Sequence, residues 1–227
     1  MEILNDITFE PDNESLLHEN RIKAQSGYAR EFEQLLDIAR GAARPKAVYK
    51  ESFIDTKGNE TIVIEGHTFT SLTLRKNLEQ AERVFPYVVT CGKELDEVSL
   101  PANDILHEYW WDTIKAAVLD TARNYLSQHL TRKFALGKTS TMSPGSGDGI
   151  VWPIRQQKEL FSLLGDVTGL IDVQLTESYL MIPNKSVSGI RFPTEVDFHT
   201  CQLCHREGCP SRAAPFDKAL WEAMQLN

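Results

Sequence analysis

Three cysteines stand close together near the C-terminus, in the run Cys201-Gln-Leu-Cys204-His-Arg-Glu-Gly-Cys209. The C-x-x-C spacing of the first pair lets two thiolates bind one metal ion, and Cys209 adds a third thiol. A tetrahedral zinc ion or an iron–sulfur cluster needs a fourth ligand, for which the candidates are Cys91, His199 and His205. Redox or disulfide chemistry, or no special role, are the alternatives. The pattern favours a metal site at Cys201, Cys204 and Cys209.

A second segment that could bind a ligand is the glycine-rich loop Ser143-Pro-Gly-Ser-Gly-Asp148. Glycines accept positive φ angles and let a ligand approach main-chain N–H and C=O groups closely. The ordinary alternative is a flexible turn between two helices. The loop lacks the Gly-Lys-Ser/Thr ending of a phosphate-binding loop and does not follow a predicted strand, so we do not interpret it as one.

The most specific string in the chain runs from Leu175 to Gly189. It reads Leu-Thr-Glu-Ser-x-x-Met-x-Pro-x-x-Ser-Val-Ser-Gly. At every named position this string resembles the activation domain of cobalamin-dependent methionine synthase, which binds S-adenosylmethionine. The resemblance extends over most of the chain from about Ala47 onward and is strongest between residues 140 and 192.

The resemblance implies an S-adenosylmethionine-binding loop at residues 141–146. The family's loop reads Arg-x-Ser/Ala-Pro-Gly-Tyr, and Ser143, Pro144 and Gly145 match it. Thr141 stands where the family has Arg, and Ser146 where it has Tyr. The family Arg meets the ligand carboxylate with a charged fork that Thr cannot reproduce. Loss of such a contact costs roughly 1.5–3 kcal/mol.

The resemblance also implies a ligand-binding carboxylate on the long central helix. Asp120 aligns there with the family's Glu and has the charge that suits a cationic ligand. Without the resemblance, Asp120 would be read as part of the polar face of an amphipathic helix.

The remaining predicted site residues lie within the Leu175–Gly189 string. Glu177 is predicted to support the glycine loop by accepting hydrogen bonds from its amides; the alternative is direct contact with a ligand or a corrinoid. Met181 and Pro183 are predicted to lie in a buried turn or on a surface that faces the partner's cobalamin.

The function implied by the resemblance is reductive reactivation of a cobalamin-dependent methyltransferase, as an accessory subunit and not as a self-contained catalyst. The chain would hold S-adenosylmethionine, the partner would carry the cobalamin, and a flavodoxin or ferredoxin would supply the electron. The alternative is a metal- or iron–sulfur-binding accessory module that docks on a corrinoid protein without binding S-adenosylmethionine.

Charge and hydropathy restrict the location and the partners. A formal net charge of -8 argues against nucleic acid as the main partner, because a phosphate-binding face needs clustered Lys and Arg. The chain has no apolar run of the length that spans a membrane. Its N-terminus does not resemble a signal peptide, so we expect a cytoplasmic protein.

The order of predicted elements indicates an α+β fold with a largely antiparallel sheet and long flanking helices. We predict a helix from Asn13 or Ser15 to about Ala43, a hairpin on either side of residues 55–59, and a strand over residues 84–90. A central helix follows from residues 101–104 to Phe134, then a loop over 137–151, a helix to about Leu164, and strands near 170–175 and 186–192. The predicted divisions are an N-terminal helical segment (1–45), an α+β core (46–195) and a cysteine-containing tail (196–227).

Overall fold

An antiparallel β-sheet forms the centre of the protein, in a computed structural model that describes residues 1–101, 104–209 and 212–224. Its strands are β1 (Glu2–Leu4), β2 (Lys46–Tyr49), β3 (Ser52–Lys57), β4 (Thr61–Ile64), β5 (His67–Thr70), β6 (Arg83–Thr90), β7 (Thr139–Met142) and β10 (Ser186–Pro193). The short strands β8 (Gln174–Leu175) and β9 (Met181–Ile182) form a separate hairpin. Every strand pairing within the described residues is antiparallel, which confirms the predicted fold class.

Strand β6 is the axis of this sheet. On one edge it pairs with β2 and then, further toward its N-terminal end, with β3; on the other edge it pairs with β10. Strand β7 extends the sheet beyond β10, while β1 extends it beyond β2 and the β3–β4–β5 meander continues the other end. This central position places β6, β10 and β7 side by side, and these strands support the site described below.

The helices cover both faces of the sheet. They are α1 (Asn13–Glu19), α2 (Gly27–Ala42), α3 (Leu72–Asn77), α4 (Ile105–Lys133), α5 (Gln157–Leu164), α6 (Val167–Ile171) and α7 (Lys218–Ala223). The long helix α4 is capped by Asp104, whose carboxylate accepts from the His107 amide at 2.9 Å. The predicted start of this helix includes residues 102 and 103, which lie outside the described part of the chain.

Helix α4 is central, as its broad apolar surface predicts. Its first half packs with α2 in an apolar cluster that includes Phe32, Trp110 and Ile114. Its second half packs on the sheet through Ala122 and Leu126, in a cluster with residues of β2 and β6. The opposite face of the sheet is covered by a different cluster, built around Trp152 on the segment that precedes α5. The sheet therefore lies between two apolar layers.

The structure corrects several predicted boundaries. The single helix predicted from Asn13 to Ala43 is two helices, because Arg21 and Gln25 have positive φ angles and Ser26 caps a new helix through the Ala29 amide. Strand β5 follows the turn at Glu65–Gly66, where both residues have positive φ, and was not predicted. Strand β7 lies inside the region predicted as a loop. The strand predicted near residues 170–175 belongs to the separate β8–β9 hairpin.

Both predicted flanking segments pack on the central fold. Strand β1 pairs with β2, so the N-terminal segment contributes to the main sheet. Phe198 and Leu203 of the tail are buried in the cluster around Trp152. Among the described helices, none combines the length and the apolar character needed to cross a lipid bilayer.

Candidate functional site

A cleft lies between α4 and the β6–β10–β7 part of the sheet. It has a volume of about 370 Å³. Its lining residues are Tyr87, Val89, Asp120, Arg123, Asn124, Leu126, Ser127, Thr141 and Arg191. A second hollow of about 440 Å³ continues it toward the C-terminal tail and shares Tyr87, Arg123, Thr141 and Arg191 with it. The two hollows form one polar groove whose floor is sheet and whose walls are α4 and the tail.

Strand register fixes which side chains share the floor. Arg191 of β10 lies opposite Thr141 of β7 on one side and opposite Phe85 of β6 on the other. Residues directly opposite one another in an antiparallel pair project from the same face. Ile190 and Phe192 therefore project to the other face, where both are fully buried in the Trp152 cluster. Arg191 and Thr141 are thus neighbours on the floor of the cleft.

The guanidinium of Arg191 is half-buried and only partly bonded. Its Nη1 donates to Ser127 Oγ of α4 at 2.7 Å. Its Nε is buried and has no hydrogen-bond partner, and no carboxylate of the described chain forms an ion pair with it. Burial lowers the pKa of Arg191, because desolvation disfavours the charged form. A cation in this condition has unused capacity to bind an anion.

Asp120 lies on the wall of the cleft that α4 forms. Helical spacing brings Asp120, Arg123, Asn124 and Ser127 onto one stripe of α4 that faces the groove. Asp120 Oδ1 accepts from Arg123 Nη1 at 2.8 Å, and both side chains are more than half exposed. An ion pair this exposed contributes little to stability, so both groups remain available to a ligand.

Tyr87, Gly189 and Ser143 meet at the junction of the two hollows. A Cβ atom on Gly189 would lie 2.6 Å from Met142 O, 2.8 Å from Ser143 Oγ and 2.9 Å from the Tyr87 hydroxyl. Only glycine allows this close approach. Burial raises the pKa of Tyr87, an effect that Arg123, Ser143 and Arg191 partly oppose. The Gly of the Ser-Val-Ser-Gly string therefore shapes the floor of the cleft.

The serines of that string are structural. Ser186 Oγ donates to Thr90 Oγ1 at 2.9 Å, and the buried Ser188 Oγ donates to Gln157 Oε1 at 3.2 Å. These bonds join β10 to β6 and to α5, and thereby fix the strand that carries Arg191.

The glycine loop is a closed turn in which three main-chain amides are bonded within the chain and are not free for a ligand. The Gly145 amide donates to Trp152 O at 2.8 Å, the Ser146 amide to Ser143 O at 3.1 Å, and the Asp148 amide to Leu203 O at 3.1 Å. Gly145 and Gly147 have positive φ, which explains their identity.

The loop contributes to the groove through its side chains instead. Ser143 and Ser146 line the hollow next to the tail. Pro144 is buried, and Gly145 packs against Ile154, away from the lining.

The structure places Glu177 away from the glycine loop. Glu177 lies in the turn between β8 and β9, is exposed, and forms no hydrogen bond to a described residue of the loop. The turn is closed by Thr176, which bonds to Leu180 through its main chain at 2.8 Å and its side chain at 3.0 Å. Glu177 therefore does not support the loop, and its contact with a ligand or corrinoid stays a prediction.

Met181 and Pro183 lie in the same hairpin. Met181 is partly buried against the apolar cluster of Val48 and Ile171, and Pro183, which follows a cis peptide bond, is buried. Leu180 and Ile182 beside them are 59% and 52% exposed. The hairpin therefore combines a buried turn with an exposed apolar edge.

Within the described part of the chain, the predicted ligands Cys201, Cys204 and Cys209 do not gather into a metal-binding group, and metal binding stays a prediction. No group of three His, Cys, Asp or Glu side chains there is close enough to hold an ion. The guanidinium of Arg212 binds inside this segment, donating to Cys201 O at 3.2 Å, Cys204 O at 3.1 Å and Ala214 O at 3.2 Å, and also to Arg206 O. The main-chain carbonyls of this segment therefore surround the guanidinium of Arg212. Cys201, Cys204 and Cys209 are free thiols, and Cys201 lines the groove.

Sequence reasoning missed seven of the nine residues that line the cleft: Tyr87, Val89, Arg123, Asn124, Leu126, Ser127 and Arg191. A signal existed for Arg191, which is the charged residue of a strand whose neighbours Ile190 and Phe192 are apolar. Alternation in a strand marks such a residue as facing away from that core. A second signal existed for Arg123, Asn124 and Ser127, which share one face of the predicted helix with Asp120. The remaining lining residues depend on which strand lies beneath α4, and neither pattern carries this information.

Comparison with known proteins identifies the fold. No family model matches the sequence, and no curated protein matches it. A solved structure, the crystal structure of the MetH reactivation domain bound to AdoHcy, is similar with a TM-score of 0.55 and 15% sequence identity. The match covers 88% of this chain and 81% of that chain. The observed antiparallel sheet with its long helix agrees with this likeness: the chain has the fold of the MetH reactivation domain.

Proposed function

We propose that this chain binds S-adenosylmethionine in the cleft beneath α4 and presents it to the reduced cobalamin of a partner methyltransferase. The observation that carries the proposal is a polar cleft with charges of both signs, in a fold whose structural neighbour binds AdoHcy. The groups available to a ligand are those of Asp120, Arg123, Arg191, Tyr87, Ser127 and Thr141. S-Adenosylmethionine carries an ammonium, a carboxylate and a sulfonium, and therefore needs both signs.

In this function the chain acts by positioning. A partner's cob(I)alamin would supply the nucleophile for the methyl group. The S–CH3 bond would then break with its electron pair on sulfur, and the cleft would retain S-adenosylhomocysteine. Positioning alone accelerates such a two-body reaction, because it removes the entropy cost of bringing the reactants together. No acid or base on this chain is required. The single electron that makes cob(I)alamin comes from an external donor, for which flavodoxin or ferredoxin remains our proposal.

Calorimetric titration with S-adenosylmethionine tests the binding step. We expect saturable binding by the wild type and a roughly 5-fold weaker affinity for Asp120→Asn, since an exposed charge-assisted contact contributes about 1 kcal/mol. Asp37→Asn is a matched control, because Asp37 forms the same i,i+3 pair with Arg40 on α2, outside the cleft. No heat of binding at millimolar ligand would contradict the proposal.

Methyl transfer tests the second step. A cobalamin-dependent methyltransferase in the cob(II)alamin form, mixed with a one-electron reductant and S-adenosylmethionine, should gain the absorbance of methylcobalamin only when this chain is present. Equal rates with and without the chain would contradict the presenting role and leave ligand binding as the sole function.

A second candidate function is docking on a corrinoid protein without S-adenosylmethionine. The exposed apolar residues Leu180 and Ile182 and the family departures at Thr141 and Ser146 favour it. Its metal-dependent form is not supported by the described residues, since Arg212 binds the carbonyls at the centre of the cysteine segment. Co-elution with a corrinoid protein in the absence of S-adenosylmethionine, lost in Leu180→Ser/Ile182→Ser, would support docking. Assay of zinc and iron in the purified protein tests the metal.

A further inference from the structure

The residue that the family uses to bind the ligand carboxylate is missing at position 141, but a guanidinium stands beside it. Thr141 on β7 and Arg191 on β10 are register partners and project from the same face. Directly opposite residues have Cβ atoms about 4.5–5.5 Å apart, which is less than the length of an arginine side chain. Arginines at 141 and at 191 can therefore deliver their guanidinium groups to one place on the floor of the cleft.

The guanidinium of Arg191 has hydrogen-bond donors that no group of the described chain uses, and these donors could bind an anion. Its single described bond, from Nη1 to Ser127 Oγ, fixes the side chain across the floor toward α4. Its Nε remains buried without a partner. A buried donor that is unpaired in the free protein disfavours the folded state, and such groups persist where a ligand satisfies them.

From these observations we infer that Arg191 binds the carboxylate of the amino-acid part of the ligand, in place of the arginine that this chain lacks at position 141. This inference rests on the proposed binding of S-adenosylmethionine and names the group that recognises its carboxylate. Asp120 on the α4 wall has the charge for the ammonium or sulfonium of the same ligand. The carboxylate of the ligand would then contact the floor of the cleft, and a cationic group of the ligand would contact the α4 wall.

A pair of ligands isolates the carboxylate contact. Wild type and Arg191→Met are titrated with S-adenosylmethionine and with decarboxylated S-adenosylmethionine, which lacks only the carboxylate. We expect Arg191→Met to weaken S-adenosylmethionine binding about 10- to 100-fold, because a charge-assisted, partly buried contact is lost. Its affinity for the decarboxylated analogue should change less than about 3-fold. A loss of equal size for both ligands would overturn the inference.

A double exchange of the two strand partners tests the position. Thr141→Arg combined with Arg191→Thr places the guanidinium at 141 and should recover most of the affinity that Arg191→Thr alone loses. Thr141→Arg in the wild-type background controls for a general gain from positive charge. If the exchanged variant binds no better than Arg191→Thr, the two positions do not serve one site and the inference is wrong.

Two readouts separate failure of this inference from failure of the proposed function. If the wild type binds neither ligand, S-adenosylmethionine binding itself is wrong. If the wild type binds S-adenosylmethionine and Arg191→Met binds it equally well, only the role of Arg191 is wrong. Thermal unfolding of free Arg191→Met guards against misfolding: we expect a midpoint no lower than that of the wild type, because the substitution removes an uncompensated buried donor.

Discussion

Two half-buried arginines on neighbouring parts of the molecule have opposite bonding states. In the tail, the guanidinium of Arg212 donates to the main-chain oxygens of Cys201, Cys204, Arg206 and Ala214. In the cleft, Arg191 has one hydroxyl partner and a buried Nε with none. Two side chains of the same type therefore have different roles: Arg212 stabilises a loop, and Arg191 presents unused donors to the groove.

The difference shows how structural and functional charges can be told apart. A cation whose donors bond to main-chain oxygens of its own chain contributes to folding, and its removal leaves those acceptors without a partner. A cation with unused donors disfavours folding and favours binding of an anion. The Cys-rich segment was predicted to bind a metal ion or a cluster through its thiols. Within the described residues its main-chain carbonyls accept hydrogen bonds from Arg212 of the same chain. The cleft has the ligand-binding capacity instead.

The largest expected effect is a loss of stability in the cleft, caused by a substitution in the strand that forms its floor. In Gly189→Ala the new Cβ meets the fixed carbonyl of Met142 at 2.6 Å, so β7 and β10 must separate. We expect the free energy of unfolding to fall by about 3 kcal/mol, measured by urea denaturation. Gly41→Ala is the control, since nothing lies within 4 Å of its Cβ and it lies in helix α2; it should stabilise by about 0.5–1 kcal/mol. Equal stability of the two variants would refute the close approach.

The second largest effect is expected in the tail, when the guanidinium of Arg212 is removed. Arg212→Met leaves four main-chain acceptors without their donor, and we expect a loss of about 2 kcal/mol, or about 4–8 °C in the unfolding midpoint. Arg206→Met is the matched control, because that side chain is exposed and should change stability by less than about 0.5 kcal/mol. If Arg212→Met and Arg191→Met unfold at the same midpoint, the different hydrogen bonding of the two arginines does not affect stability, and the comparison is wrong.

A partly exposed charge cluster should have a smaller effect on stability than either arginine. Lys46 and Lys93 donate to Asp172 at 2.7 Å and 2.6 Å and lower the pKa of its carboxyl. A lowered carboxyl pKa adds stability above the unfolded value near 3.8, and this stability is lost as the pH falls through the folded pKa. We expect Asp172→Asn to cost about 0.5 kcal/mol at pH 7, after allowance for solvent screening, and nothing near pH 2. A cost that does not vary between these pH values would show that the charge is irrelevant.

Thiol reactivity sharpens the contrast between tail and core without changing stability. Burial raises the pKa of the Cys91 thiol to about 12, whereas Cys201, Cys204 and Cys209 are partly exposed. In the native protein a chromogenic disulfide should titrate the three tail thiols and leave Cys91 unreacted until denaturant is added. Four thiols that react at one rate would indicate that the core around Cys91 opens readily.

Prediction from the sequence succeeded where the pattern is local. The antiparallel α+β class, the β3–β4 hairpin and the long helix α4 follow from alternation, turn residues and helical periodicity. It failed at Arg21 and Gln25, two residues other than glycine whose positive φ angles separate α1 from α2. It also failed at β7, which was included in the glycine-rich loop predicted over residues 137–151. Strand β7 exists because β10 offers it a partner, and a long-range partner has no local signal.

For the site, the sequence determined the composition and the tertiary structure determined the assembly. Asp120, Thr141, Ser143 and Ser146 were predicted and do line the groove. Glu177 was predicted to support the glycine loop, but it lies in the turn of the separate β8–β9 hairpin.

Arg191 was not predicted, because its importance depends on register. Successive side chains of β10 project to opposite faces of the sheet, so Arg191 faces the cleft while its neighbours face the core. The pairing of β10 with β7 places Arg191 beside Thr141. A sequence records which groups are present along one strand. Which groups meet across strands, and which donors remain unpaired when they do, is decided only when the sheet and α4 close around them.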